Sequence, residues 1–287
     1  MDQKELRELE NKCIQEEPAE CVAACPIHVD ARSFVRHVRD RAWDEAWKIL
    51  KKNMPFPSIL GRICDAPCRK RCKRGEAGDP IEIGALERAC VTRAGPPLRM
   101  PPVVKKDRKV AVLGSGLSSL TAAWDLGRKG YQVAIFEPSD EPGGLLEKLP
   151  EEVLPGREIQ EAISILGKLG ATLEKGVTVD SKAFQNRCIE EFDAVFAGLD
   201  AATVGEWNIK KNENGGVAVE PGIQSTSIEK VFAGGNFSES SRSFVWQAAE
   251  GRWAATSIDR FLQNVSMTAG REKEGPCKTR LFTSLKG

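Results

Sequence analysis

An α/β architecture preceded by a separate helical, cysteine-rich region is what the sequence predicts, on three observations. Residues 109–146, KVAVLGSGLSSLTAAWDLGRKGYQVAIFEPSDEPGGLL, run strand, glycine turn, helix, strand, acid and second glycine turn in that order. Seven of the nine cysteines fall in the first 90 residues, at positions 13, 21, 25, 64, 68, 72 and 90. Between these regions, residues 94–108 read AGPPLRMPPVVKKDR, with four prolines and no hydrophobic period, the mark of a semi-rigid linker. The expected domains are therefore 1–93, helical; 94–108, linker; 109–264, a nucleotide-binding α/β domain; and 265–287, a tail.

The 109–146 stretch justifies itself element by element. Val110 to Leu113 is a short apolar run, as a strand buried on both faces requires. Gly114 and Gly116 permit a tight strand-to-helix bend. Backbone N–H groups at the helix N-terminus, opened by Leu117 and Ser118, then meet a pyrophosphate where the dipole favours negative charge. Ser119 stands at the third position of the fingerprint, small enough for close helix-to-strand packing. Leu120, Ala122, Ala123 and Leu126 form an apolar helix face, and Gly130 ends it. The second strand, Tyr131 to Phe136, ends at Glu137 and Pro138, 23 positions after Gly114 for the acid. A carboxylate there accepts hydrogen bonds from a ribose 2′-OH and disfavours a 2′-phosphate, which leaves FAD and NAD open at this point.

Charge and hydropathy exclude several classes. Lys plus Arg is 42 and Asp plus Glu 41, so no imbalance points to nucleic acid or an anionic membrane. The start, MDQKELRELENK, has no apolar core of a secretory signal, and no run approaches 18 apolar residues. A soluble, cytoplasmic protein is expected. In a reducing compartment, clustered thiols read as metal ligands rather than disulfides.

The cysteine loops decide between metals. Residues 4–16 read as a charged helical segment leading into Cys13-x7-Cys21-x3-Cys25-Pro26. Ala31 to Lys52 reads as two short amphipathic helices, followed by Cys64-x3-Cys68-x3-Cys72 among Arg69, Lys70, Arg71, Lys73 and Arg74. Zinc sites favour CxxC pairs around one tetrahedron, and the chain has no CxxC. Three-residue gaps and a Cys-Pro step suit iron–sulfur clusters, in whose two-cluster form the last cysteine of a run serves the other cluster.

The stretches CVAACPIHVD, FPSILGRICDAPCRKRC and DPIEIGALERA resemble the two-cluster N-terminal domain shared by the glutamate synthase small subunit, dihydropyrimidine dehydrogenase and ferredoxin-dependent NADP transhydrogenase. The resemblance implies two clusters, of the [4Fe-4S] type. Cys13, Cys21 and Cys72 would hold the first, and Cys25, Cys64, Cys68 and Glu87 the second. The family has a cysteine five residues before the equivalent of Cys21, where this chain has Glu16. The first cluster is then left to use Glu16, to recruit Cys90, or to take a three-iron form. Cys188 and Cys277 have no thiol near them in sequence and read as non-ligands.

The same resemblance extends to an FAD-binding half. It implies that Gly143, Gly144 and Leu145 pack against the flavin, that Gly235 and Asn236 close the site where the family has Asp at the last position, and that the long helix Ser243–Leu262 faces the cofactor near Trp246 and Gln247. Phe192 to Leu199 reads as the next buried strand. The family then inserts a second Rossmann domain for NAD(P)H. Here only a polar loop, ATVGEWNIKKNENGG, follows Asp200, too short for one βαβ unit. The resemblance thus implies an FAD and iron–sulfur electron-transfer subunit of a hetero-oligomeric oxidoreductase, working with a catalytic subunit and a ferredoxin-like protein. Two alternatives are an NAD(P)H-linked enzyme whose nicotinamide site comes from another chain, and an assembly scaffold without redox function. No side chain reads as a general acid, base or nucleophile. The tail from Asn264 either docks on a partner or frays.

Overall fold

The computed structural model describes residues 16–76, 78–94, 103–198, 207–235, 243–271 and 274–281. Cys13, Asn236 and the expected helical segment before Glu16 lie outside the described residues. Two compact units are present: residues 1–53, 66–95 and 275–287 form the first, and 54–65 with 96–274 the second. Helix Pro57–Ile63 thus groups with the nucleotide-type domain, and the chain's last segment with the cysteine-rich one.

In the first unit, β1 (Glu16–Glu17) is extended where the sequence reading had helix. It is followed by α1 (Glu20–Ala23), α2 (Ala31–Arg39) and α3 (Trp43–Asn53). Asp30 starts α2 because its carboxylate accepts the Ser33 N–H at 3.0 Å, satisfying a donor that the helix itself leaves open. Phe34, Ala46 and Leu50 are fully buried, so the two predicted apolar stripes do meet the core.

In chain order α4 (Pro57–Ile63), which belongs to the second unit, comes next. Then α5 (Pro67–Lys70) begins with proline after Ala66 at φ 50°, and α6 (Ile83–Arg93) carries Glu87 and Cys90 inward.

The second unit is built on a five-stranded parallel sheet of order β4-β3-β2-β5-β6. These are β2 (Lys109–Leu113), β3 (Gln132–Glu137), β4 (Thr172–Lys175), β5 (Ala194–Ala197) and β6 (Val231–Ala233). The helices are α7 (Leu117–Arg128), α8 (Gly156–Lys168) and α9 (Phe244–Leu262).

Strand side chains alternate between faces. Ala111, Leu113, Val195, Ala197, Val231 and Ala233 share one core with Phe184, Cys188 and Trp207. On the opposite face Phe232 meets Phe261 of α9, ring centroids 6.0 Å apart. The strand order reverses direction between β2 and β5, so a crevice opens beyond their carboxyl ends, where such sheets bind ligands. β5 pairs directly with β6, and residues 207–230 between them contribute a hairpin bridge at Lys211 and Val217 rather than a second βαβ layer.

Helices α7 and α9 cross at backbone distance. A Cβ on Gly251 would stand 2.3 Å from the Ser118 carbonyl oxygen and 3.0 Å from the Thr121 Cβ. Only glycine lets this crossing close, and it presses the end of the sheet's first helix against the last. β7 (Arg280–Leu281) returns to the first unit and pairs antiparallel with β1.

Candidate cofactor sites

The nucleotide-type site lies at the β2–β5 switch point. Gly114 turns with φ +86°, its N–H donating to Phe136 O at 2.8 Å. Gly116 caps α7 without a side-chain hydrogen bond, leaving the first-turn amides directed out of the helix end, as an anion site requires. Gly144 adopts φ +58°, and a Cβ there would lie 3.3 Å from the Gly116 Cα. The two glycine turns therefore abut, and backbone rather than side chain lines the cradle. Leu117 and Ser118 are buried beneath it, Leu145 is half-buried and Pro138 is exposed.

Glu137 organises the cradle. One carboxylate oxygen accepts the Ser115 N–H at 2.8 Å and the Ser115 hydroxyl at 2.5 Å, and the other accepts the Ser139 N–H at 2.9 Å. The Ser115 hydroxyl oxygen in turn accepts the Gly143 N–H at 2.7 Å. The acid thus ties the first glycine turn to the second while keeping acceptor capacity for a ribose hydroxyl. Ser119 is fully buried and its hydroxyl donates to Leu113 O at 3.3 Å, which holds helix to strand without the third glycine.

Across the crevice, Gly235 donates its N–H to Glu250 at 2.6 Å, and Glu250 and Gln247 are buried on α9. Trp246 is half-buried and packs edge-on against Trp253 at 5.9 Å. The Ser243 hydroxyl at the start of α9 is buried and has no partner among the described residues. An orphaned donor at a helix N-terminus, a glycine cradle and an uncapped α7 together fit a dinucleotide. Ser115, Ser139, Ser243 and Glu250 were not singled out from sequence. Ser115 sits inside the fingerprint and was findable there, whereas nothing local marks Glu250.

The first unit collects thiols. Burial pushes the Cys25 thiol up, a rise that the neighbouring backbone N–H groups of Val29, Ile27 and His28 partly offset. Burial, and then the charges of Glu87 and Cys25, push Cys68 up to about 12. Burial also raises Glu87 to about 7. Cys25, Cys68 and Glu87 therefore influence one another within one buried region.

Cys21, raised chiefly by burial, feels Cys72. Those two line a single pocket of about 220 Å³ with Arg32, Arg71 and Lys73, and the Cys72 sulfur accepts the Ile81 N–H at 3.5 Å. Cys68 also feels the charge of Cys21. Cys64 ends α4 in the second unit, its N–H donating to Leu60 O at 3.0 Å. Cys90 is fully buried, its S–H directed at Trp43 O at 3.9 Å. It sits beside Glu87, which with burial pushes it to about 11.

Among the described residues no three His, Cys, Asp or Glu side chains converge closely enough to hold one metal ion. Buried acidic donors that suppress one another's ionisation, with N–H groups aimed at sulfur, fit a cationic metal centre, which deprotonates thiols on binding. No described helix is long and apolar enough to cross a membrane.

These features define a class: an iron–sulfur domain joined to a Rossmann-like nucleotide domain. Residues 1–95 match the family described as dihydropyrimidine dehydrogenase domain II, 4Fe-4S cluster, and residues 112–165 match the NAD(P)-binding Rossmann-like domain. Among particular proteins, the chain is 29% identical over 194 residues to the NADPH-Fe(3+) oxidoreductase subunit beta of Geobacter sulfurreducens, covering 65% of this chain and 29% of that one. It is 25% identical over 236 residues to the NADP(+)-dependent formate dehydrogenase subunit beta of Moorella thermoacetica, covering 72% and 33%. It is 30% identical over 220 residues to the glutamate synthase (NADPH) small chain of Mycobacterium tuberculosis, covering 75% and 45%. The resemblance read from the cysteine loops is borne out. The chain spans less than half the length of each of these relatives.

Proposed function

We propose that this chain is an electron-relay subunit of a larger oxidoreductase, carrying FAD in the β2–β5 crevice and two [4Fe-4S] clusters in the cysteine-rich unit. The observation that carries the reading is the direct pairing of β5 with β6. The chain completes one dinucleotide-type sheet with no second nucleotide domain inserted between those strands. FAD is favoured over NAD because the site continues past the fingerprint into the Gly143–Gly144 turn, Gly235 and the start of α9, which together enclose more than an adenosine half.

When bound, a flavin exchanges two electrons or one, and clusters pass one at a time. The protein's own part is positioning. The α7 amides and Gly144 hold the pyrophosphate, Glu137 holds the ribose, and Ser243 and Gln247 approach the cofactor from α9. By the resemblance, Cys13, Cys21 and Cys72 are nominated for one cluster, and Cys25, Cys64, Cys68 and Glu87 for the other. The partner is a catalytic oxidoreductase subunit, as the names of the relatives suggest, with a ferredoxin-like protein as a further donor or acceptor.

Anaerobic purification tests this reading. Flavin and about eight irons per chain, with no bleaching by NADH or NADPH, are expected of a relay fed by another protein. Rapid bleaching by either nucleotide would return the function to an NAD(P)H oxidoreductase, and a colourless, iron-free chain would make it a scaffold.

A further inference from the structure

Seven exposed cations come from the two segments that border the Cys21–Cys72 pocket of the cysteine-rich unit. Residues 67–74, PCRKRCKR, hold five basic side chains and no acid, and Arg69, Lys70, Arg71, Lys73 and Arg74 are all exposed. Helix α1, which carries Cys21, packs against both α5 and α2. Helix α2 adds exposed Arg32 and Arg36, four residues apart and so on one helix face. The charge of Arg32 reaches Cys21, and Arg32, Arg71 and Lys73 line the pocket of about 220 Å³ that holds Cys21 and Cys72.

Few acids offset this charge. Glu82 is taken by Arg69 at 2.6 Å, Glu20 lines the same pocket, and Glu76 and Asp79 are exposed further along the chain. Arg32, Arg36, Lys70, Arg71 and Arg74 form no ion pair among the described residues. The whole chain is balanced, 42 basic against 41 acidic residues, so the excess is local to this rim. Such a patch repels itself and steers an oppositely charged partner toward it. Two features narrow the partner. The exposed large hydrophobic side chains among the described residues, Val104, Val153 and Val265, all belong to the other unit, so a permanent apolar interface has nothing here to bury. No aromatic side chain lines the pocket, so nucleic-acid bases have no platform to stack on.

We propose that this basic rim is the docking surface for an acidic one-electron carrier protein, which it seats over the Cys21–Cys72 pocket. The inference rests on the iron–sulfur reading above and names the face by which that unit meets a redox partner. Electron-transfer encounters use small, transient interfaces. A rim of long, unpaired cations supplies one without an apolar core. Charges at an exposed rim act mainly on the rate of association, so Arg32, Arg36, Lys70, Arg71 and Arg74 steer the encounter. Arg32 and Arg71, which also line the pocket, direct it to the thiols rather than elsewhere on the unit.

The test uses the full chain, purified anaerobically with its iron measured, and follows binding of an acidic bacterial ferredoxin by surface plasmon resonance from about 20 to about 500 mM salt. Wild type is expected to bind it with an association rate that falls steeply over this range, and to leave the basic carrier cytochrome c unbound. Lys70→Glu, Arg71→Glu and Arg74→Glu together are expected to slow association about 100-fold at low salt, and Arg32→Gln with Arg36→Gln about tenfold. Lys52→Glu, exposed on α3 and outside the pocket lining, is expected to match wild type. Circular dichroism and iron content check each variant, and the neutral pair keeps the measurement decisive if the triple reversal fails to fold. Binding that ignores salt, or that is unchanged in the folded variants, overturns the proposal. Tighter binding of duplex DNA than of ferredoxin also overturns it and makes the rim a polyanion site. A wild-type chain without iron overturns the iron–sulfur reading, whereas an iron-loaded chain that fails to bind ferredoxin overturns this inference alone.

Discussion

Each of the two units buries an acid, but in opposite surroundings. In the nucleotide-type unit the acid Glu137 is buried and hydrogen-bonded, accepting from Ser115 and Ser139. In the cysteine-rich unit the acid Glu87 is equally buried, yet burial pushes it up to about 7 and its neighbours are thiols. One cradle is finished by its own backbone. The other carries donors whose ionised forms need a cation to justify them. The difference teaches where each unit's stability comes from: helix and sheet packing in the second, and in the first a share that metal binding would contribute.

The most damaging way to probe the contrast is at the α7–α9 crossing. Gly251→Val puts a side chain where 2.3 Å is available to backbone, and overpacking there is expected to cost about 3 kcal/mol or more. A lowered urea midpoint and lost flavin, with iron retained, would show that the two units fail separately. Simultaneous loss of iron would break the comparison.

Next in size is Glu87. Its folded pKa lies above the unfolded value, so in metal-stripped protein its contribution to stability is whole below about pH 4.5 and is lost as pH rises through about 7. Glu87→Gln in that stripped protein should therefore raise stability at pH 8 by about 3 kcal/mol. It should also flatten the pH dependence between those limits in denaturant titrations. An unchanged pH profile would mean that Glu87 is solvated and that the contrast between the two acids is false.

Glu137→Gln sharpens the other side. The amide keeps the shape but loses charge-assisted acceptance from two backbone N–H groups, and flavin retention is expected to weaken about tenfold. Equilibrium dialysis measures it. The smallest effect is at Asp259. Although burial pushes its carboxyl up, hydrogen bonds from Lys129, Lys106 and Tyr131 hold it well below the usual carboxylate range. Asp259→Asn should cost about 1 kcal/mol at pH 7. The difference from wild type should vanish as acid protonates Asp259 well below pH 4, because a depressed pKa stabilises only above it.

Much of the second unit was legible because its signals are local. Gly114, Gly116 and Glu137 belong to one βαβ unit, and strand and helix periods of 2 and 3.6 residues locate the rest. Helices Ala31–Arg39 and Trp43–Asn53 were legible from the same periodicity. The extended backbone at Glu16 was misread as helix because its pairing partner, Leu281, lies 265 residues away. Likewise Glu250 reaches Gly235, and Gly251 meets Ser118, only after the sheet has brought α7 and α9 together.

By itself the sequence determined the chemistry available to this protein: a glycine fingerprint with a closing acid, and cysteines at three-residue spacing with a Cys-Pro step. Those are properties of short stretches, where steric freedom and ligand type depend on a few neighbours. Only the tertiary structure decided which distant groups share a site, because contact through folding is independent of separation along the chain. It coupled the two glycine turns of the nucleotide cradle through Ser115, closed the helix crossing at Gly251, and brought the Cys277 N–H to Ala23 O.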